Sequence, residues 1–173
     1  MHVCHDRRDV CLPVKVVDVM KIISGGQTGV DRAALDTALK HGIECGGWCP
    51  AGRLDEFGAI PERYPVKELE HGDFADRTVQ NVKDSDAAVI IYFDKLRGGT
   101  EYTLQCCVAL RKPHKLINAA EVSVERVAEL VAEFVREAKI STLNVAGPRQ
   151  SEWPQGYAYA FRALDIFLSR LKL

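Results

Sequence analysis

The chain has 173 residues, 47% of them hydrophobic and 27% charged, with a formal net charge of −1; this suits one α/β domain with a sizeable core and leaves no room for a second. Such a balance supplies no global basic field for nucleic acid, and no apolar run approaches the ~20 residues that span a bilayer. Six cysteines without a secretory pattern, two of them adjacent as Cys106 and Cys107, imply a reducing, cytoplasmic setting rather than disulfides.

Residues 1–19 read as an irregular N-terminal extension ahead of a single domain over 20–173, with Val14 to Val19 as an alternative outward extension of the first strand. No Cys-x-x-Cys or His-x-x-x-His spacing occurs, so no metal site is assigned. Cys45 with Cys49, and Cys4, His5 and Cys11, are the nearest approaches to one.

The stretch Ile22-Ile23-Ser24-Gly25-Gly26-Gln27-Thr28-Gly29-Val30-Asp31-Arg32 predicts a short buried strand, a glycine turn and a helix starting at Thr28 or Gly29. Free amides at such a helix start suit an anion, usually a phosphate; the alternative is that the glycines serve tightness alone. Ser24, Gly26 and Gly29 occupy the glycine positions of G-x-G-x-x-G, with serine first, and no Lys-Ser or Lys-Thr follows at Walker spacing.

Helical spacing continues to Gly42, and a second strand follows near Ile43 to Gly47. Trp48-Cys49-Pro50-Ala51-Gly52-Arg53 then opens a long aperiodic loop to Glu70, of the kind that is usually functional or mobile. Asp73 caps a helix to about Lys83, with Phe74 and Val82 facing inward. Ala87 to Phe93 is continuously apolar, as in a central parallel strand covered on both faces. Gly98-Gly99-Thr100-Glu101 opens an apolar helix to about Arg111, and Lys115 to Asn118 forms a fourth strand. An amphipathic helix from Val124 to Ala138 precedes a fifth strand, Thr142 to Ala146, which ends in Gly147-Pro148-Arg149. The last helix carries Tyr157, Phe161, Leu164, Leu168 and Leu171 on one face.

This alternation predicts an α/β class, a three-layer α-β-α Rossmann-like fold with a mainly parallel sheet of about five strands. Loops leaving parallel strands emerge on one rim, where ligands bind. The candidate ligand and phosphate contacts are therefore Ser24, Gly25, Gly26, Gln27, Thr28, Gly29, Trp48, Arg53, Gly98, Gly99, Thr100, Glu101, Gly147 and Arg149. Arginine grips phosphate with a forked pair of hydrogen bonds, and Trp48 offers a stacking surface, with burial in the core as its alternative.

Other chemistries fit less well. Asp31 and Glu101 occupy first helical turns, where acids commonly stabilise helix ends. No histidine lies in the rim loops, and no serine has an elbow motif. The end of the second strand offers Gly46-Gly47-Trp48 in place of the ribose-binding acid of a nicotinamide site, which argues against a dehydrogenase.

Ser24 to Asp36, Gly46 to Arg53 and Ile60-Pro61-Glu62-Arg63-Tyr64-Pro65 closely resemble the molybdenum cofactor carrier family. Arg77-Thr78, Asn81-Val82, Asp84-Ser85-Asp86, Gly98-Gly99-Thr100 and Asn144 to Arg149 follow in the family's order. The resemblance covers about residues 20–173. It implies a Rossmann-like fold of the lonely-guy and DprA superfamily, a phosphorylated small-molecule ligand, the molybdenum cofactor (molybdopterin) as cargo, and a homo-oligomer, dimer or tetramer. Lonely-guy enzymes, which cleave the base from nucleoside monophosphates, supply a second reading with Glu101 and Arg77 as catalytic residues. Arg97-Gly98-Gly99-Thr100-Glu101 is a compressed form of their motif, lacking its proline and its glutamate spacing. A regulatory nucleotide sensor is a third.

Overall fold

The computed structural model describes residues 20–171. The expectations placed on residues 1–19, with their Cys4, His5 and Cys11 cluster and the Val14 to Val19 strand, lie outside them. In chain order the elements are β1 (Lys21–Ile23), α1 (Val30–His41), β2 (Glu44–Gly46), β3 (Trp48–Cys49), β4 (Leu54–Asp55), β5 (Gly58–Ala59) and β6 (Lys67–Glu68). They continue with α2 (Phe74–Asp84), β7 (Ala87–Tyr92), α3 (Gly98–Ala109), β8 (His114–Asn118), α4 (Val124–Glu137), β9 (Thr142–Ala146) and α5 (Gly156–Leu171).

Five strands form one sheet in the order β2-β1-β9-β7-β8, every neighbouring pair parallel. Residues Ala87 to Ile91 of β7 are fully buried, because helices cover both faces. α1, α4 and α5 pack together on one side, burying Val30, Ala34, Val131, Leu164 and Phe167 with residues of the sheet. On the other side α2 and α3 cover β7 through Val82, Cys106 and Cys107. The result is the expected three-layer α-β-α architecture.

Local chemistry starts α2 as the sequence predicts. Asp73 accepts from the amides of Ala75 and Asp76, and Asp76 returns a carboxylate to the Asp73 amide, a full capping box. Ser123 caps α4 by accepting from the Arg126 amide. Phe74 departs from expectation. Its side chain is 38% exposed, and the guanidinium of Arg149 lies 5.7 Å from its ring centre.

The stretch from Pro50 to Glu70 differs most from its reading as an aperiodic loop. β3 and β6 pair in parallel, and β4 and β5 form an antiparallel hairpin. Two-residue strands are too short to leave a period in a sequence. Beneath them Leu35, Cys49, Ile60, Tyr64 and Val66 form a separate small core. Tyr64 is 1% exposed, with guanidinium groups of Arg32 and Arg63 over its ring at 4.5 and 4.7 Å and its hydroxyl donating to Asp36 at 2.8 Å. Cys49 and the half-buried Cys45 both serve this core as small apolar side chains. Among the described residues no three His, Cys, Asp or Glu converge to hold a metal, and no helix is long and apolar enough to cross a membrane.

Candidate functional site

The parallel sheet brings the carboxyl ends of β1, β7 and β9 side by side, and a cleft opens there. Its enclosed part, about 30 Å³, is lined by Gln27 after β1, Arg77 and Thr78 of α2, Gly99, Thr100 and Thr103 of α3, and Gly147, Arg149 and Glu152 after β9. On the measure by which about 10–15 Å³ holds a water, this takes roughly two. A small polar group enters it; a heterocycle does not.

The start of α3 is the polar floor of this cleft. α3 begins on Gly98 and Gly99 and has no side-chain cap, so its first amides lack intrahelical partners. Added to them is an unpartnered donor on Gln27, which is 4% exposed. Its Oε1 accepts from the amides of Thr28 at 3.0 Å and Glu56 at 2.9 Å. Two amide donors fix which end is oxygen, so the NH2 group is the one left over, and Nε2 is buried without a partner. A buried donor left unpaired costs about 1–3 kcal/mol, a cost that an anion in the cleft would relieve.

Arg77 supplies one of the two cations of the lining. Its Nη1 donates to Asp31 at 3.2 Å, while its Nε is buried and unpartnered. Asp31 is itself 2% exposed. Burial pushes its carboxyl above the ordinary range, opposed by the Arg77 charge and by hydrogen bonds from the Gln27 amide and Arg77. Arg77 reaches Asp31 across Gly25, where a Cβ would stand 1.5 Å from Nη1. The glycine is therefore required by the arginine, not by an unusual backbone angle. Arg149, over Phe74, has only a 3.8 Å approach to Glu152.

The predicted contacts thus divide. Gln27, Gly99, Thr100, Gly147 and Arg149 line one cleft together with Arg77, and Gly98 adjoins it at the first position of α3. Glu101 lies one residue further along α3, exposed and outside the lining. The α1 start, expected to be an open anion cradle, is filled by the chain. Gly29 has φ 78°, and a Cβ there would stand 2.5 Å from the Pro148 carbonyl, which accepts from the Val30 amide. Thr28 donates to the Glu56 carboxylate, as does Ser151. Ser24, Gly25 and Gly26 are buried.

Two residues expected at the rim site stand elsewhere. Arg53 turns its guanidinium onto the loop that follows it, donating to the carbonyls of Ile60 (3.1 Å), Val66 (2.8 Å), Pro61 (3.1 Å) and Tyr64 (2.7 Å). Its donors stabilise that loop and do not face the cleft. Trp48 belongs to another depression, with Lys21, Thr142 and Asp84; its Nε1 donates to Asp84 at 2.6 Å. Lys21 and Thr142 open β1 and β9, so this depression reaches the opposite ends of the strands.

Conversely, Thr103 and Glu152 line the cleft without having been singled out. Each lies three residues after an expected contact, Thr100 or Arg149, and the first pair shares a helix face by that spacing.

The chain matches the family described as "Circularly permutated YpsA SLOG family" over residues 22–168. It is similar to a crystal structure from Syntrophus aciditrophicus named "Putative molybdenum carrier protein". The two are 43% identical, with a TM-score of 0.84 over 87% of this chain and 95% of that one. No curated protein matches it.

Proposed function

Since the chain belongs to the circularly permutated YpsA SLOG family, we propose that it is a carrier that holds a phosphorylated or oxoanion-bearing small molecule at the start of α3. The carrier name of its relative supports this reading, and makes a molybdenum-bearing pterin the cargo to test first. The observation that carries it is the buried, unpartnered Nε2 of Gln27 at an uncapped helix start. Uncapped amides, two arginines and an amide donor make a set that favours negative oxygen. The phosphate or an oxo group would enter the cleft, and the bulk of the ligand would remain outside it.

Titration calorimetry with inorganic phosphate, tungstate and nucleoside monophosphates tests this. Gln27→Leu removes the unpaired donor and so lowers affinity; it also takes Oε1 from the Thr28 and Glu56 amides, so stability falls too, and affinity is read well below the melting temperature. A hydrogen bond to a charged group is worth about 1.5–3 kcal/mol, which corresponds to a loss of roughly 10- to 150-fold. Unaltered affinity in that variant would sink the proposal. The hydrolase reading is separable: it requires release of free base from nucleoside monophosphates and its loss in Glu101→Ala. The exposed position of Glu101 outside the cleft favours the carrier.

A further inference from the structure

Beside the anion cleft lies a second, larger one of about 430 Å³, lined by Phe93, Lys95, Arg97, Pro148, Glu152 and Trp153. Glu152 lines both, so the two share a wall. Phe93 follows directly on the inner strand β7, which lies between β9 and β8, and is 48% exposed. Its ring rests on that of Trp153, with centroids 5.5 Å apart and planes inclined by 27°. Trp153 is 7% exposed and packs in turn against Tyr159.

The turn that holds Phe93 is fixed. Asp94, at φ 62°, donates its amide to Asn118 Oδ1 at 2.9 Å, and the Lys95 amide donates to the Phe93 carbonyl at 2.7 Å. An aromatic ring half open to water, with a rigid partner behind it and a fixed backbone, is a preformed stacking platform.

Building on the anion cleft proposed above, we infer that Phe93 is the stacking surface for a flat nitrogen heterocycle whose phosphate or oxoanion occupies the cleft at the α3 start. The occupant is a phosphorylated pterin or purine: one flat ring joined to one anionic group. Lys95 and Arg97 present only donors, which suit the oxo and ring-nitrogen acceptors of such a heterocycle, while the Glu152 carboxylate suits an exocyclic amino group. Phe93 takes the role that the sequence assigned to Trp48, whose ring lies in a different depression with its N–H held by Asp84. The ring-sized space stands next to the water-sized one, in the arrangement that a ligand with a bulky ring and a small anionic end requires.

The test compares three probes by calorimetry: ribose 5-phosphate, which has no heterocycle, guanosine monophosphate and neopterin monophosphate. Stacking on an aromatic side chain is worth about 1–3 kcal/mol, so at least one of the two ring-bearing probes should bind the parent protein about tenfold tighter than ribose 5-phosphate. Phe93→Ala should abolish that advantage and leave ribose 5-phosphate unchanged, while Phe93→Tyr should retain it. A preference between guanosine and neopterin identifies the source of the ring. Equal affinity of all three probes for the parent, or a Phe93→Ala variant that loses affinity for none or for all alike, overturns the platform and leaves the anion cleft standing. Failure of every probe to bind overturns the anion cleft and the platform with it.

Discussion

Replacing Arg53 by lysine keeps the positive charge and the apolar stem but removes the planar fork. In the protein that fork makes four hydrogen bonds to the carbonyls of Ile60, Pro61, Tyr64 and Val66. An ammonium is a single point with three donors, and from one position it reaches about two carbonyls spread around a guanidinium. Two bonds are then lost at about 1.5–3 kcal/mol each. The contact to Pro61 is exposed, so water recovers part of that one, and the expected cost of Arg53→Lys is about 2–4 kcal/mol. In a protein of this size each kcal/mol moves the melting temperature by about 2–4 °C, giving a fall of roughly 5–15 °C. Urea titration and calorimetry read it directly. Arg53→Ala should cost more, because it leaves the same carbonyls with no donor at all. In either variant, phosphate affinity measured well below the melt should be that of the parent. A melting temperature within about a degree of the parent, combined with lost anion affinity, would refute the assignment of Arg53 to the loop and return it to the ligand.

Gly25→Ala places a Cβ 1.5 Å from Arg77 Nη1, which displaces the guanidinium and strands the buried Asp31. Breaking a buried pair costs about 3–5 kcal/mol; in an Arg77→Ala background the same alanine should be nearly neutral, and equal costs in both backgrounds would refute the crossing. Burial alone would raise the Glu56 carboxyl, but hydrogen bonds from Ser151 and Thr28 outweigh it and hold the group below its ordinary value. Its stabilisation is therefore complete above the unfolded value of about 4.3 and is lost as pH falls through the lower folded value. Glu56→Gln should flatten the fall in melting temperature across that window, and an unchanged pH profile would count against the contact. Burial pushes the Cys107 thiol up to about 11, so iodoacetamide at neutral pH should label it only on unfolding, whereas Cys45, half-buried, should react first of the two. Peptide mapping by mass spectrometry decides this.

The succession of strands and helices was legible because its signals are local. Ala87 to Ile91 is apolar without interruption, and a cap signal such as Asp73 acts on amides two or three residues away. Parallel order followed from alternation, and parallel order alone places the loops after β1, β7 and β9 on one rim. Gln27, Gly99, Gly147 and Arg149 were therefore brought to a common place by topology, before any side chain was oriented. The small strands between Trp48 and Glu68 were not legible, since two residues carry no period and their pairing is decided by the core under Tyr64.

The orientation of those side chains belonged to the tertiary structure. Arg53, Arg77 and Arg149 are the same residue type on the same side of the chain's chemistry, yet one holds a loop and two face the cleft, because a guanidinium goes to whichever acceptors the fold leaves within reach. For Arg53 those acceptors are carbonyls 7 to 13 residues away; for Arg77 the path runs across Gly25 to a carboxylate 46 residues earlier. Trp48 and Phe93 divide likewise, Trp48 bound by its N–H to Asp84 and Phe93 left half open on Trp153. The sequence by itself determined that the loops after β1, β7 and β9 meet, through the periodicity and capping that set the elements. Only packing determined which side chains remain free there, since that depends on partners whose distances no one-dimensional spacing encodes.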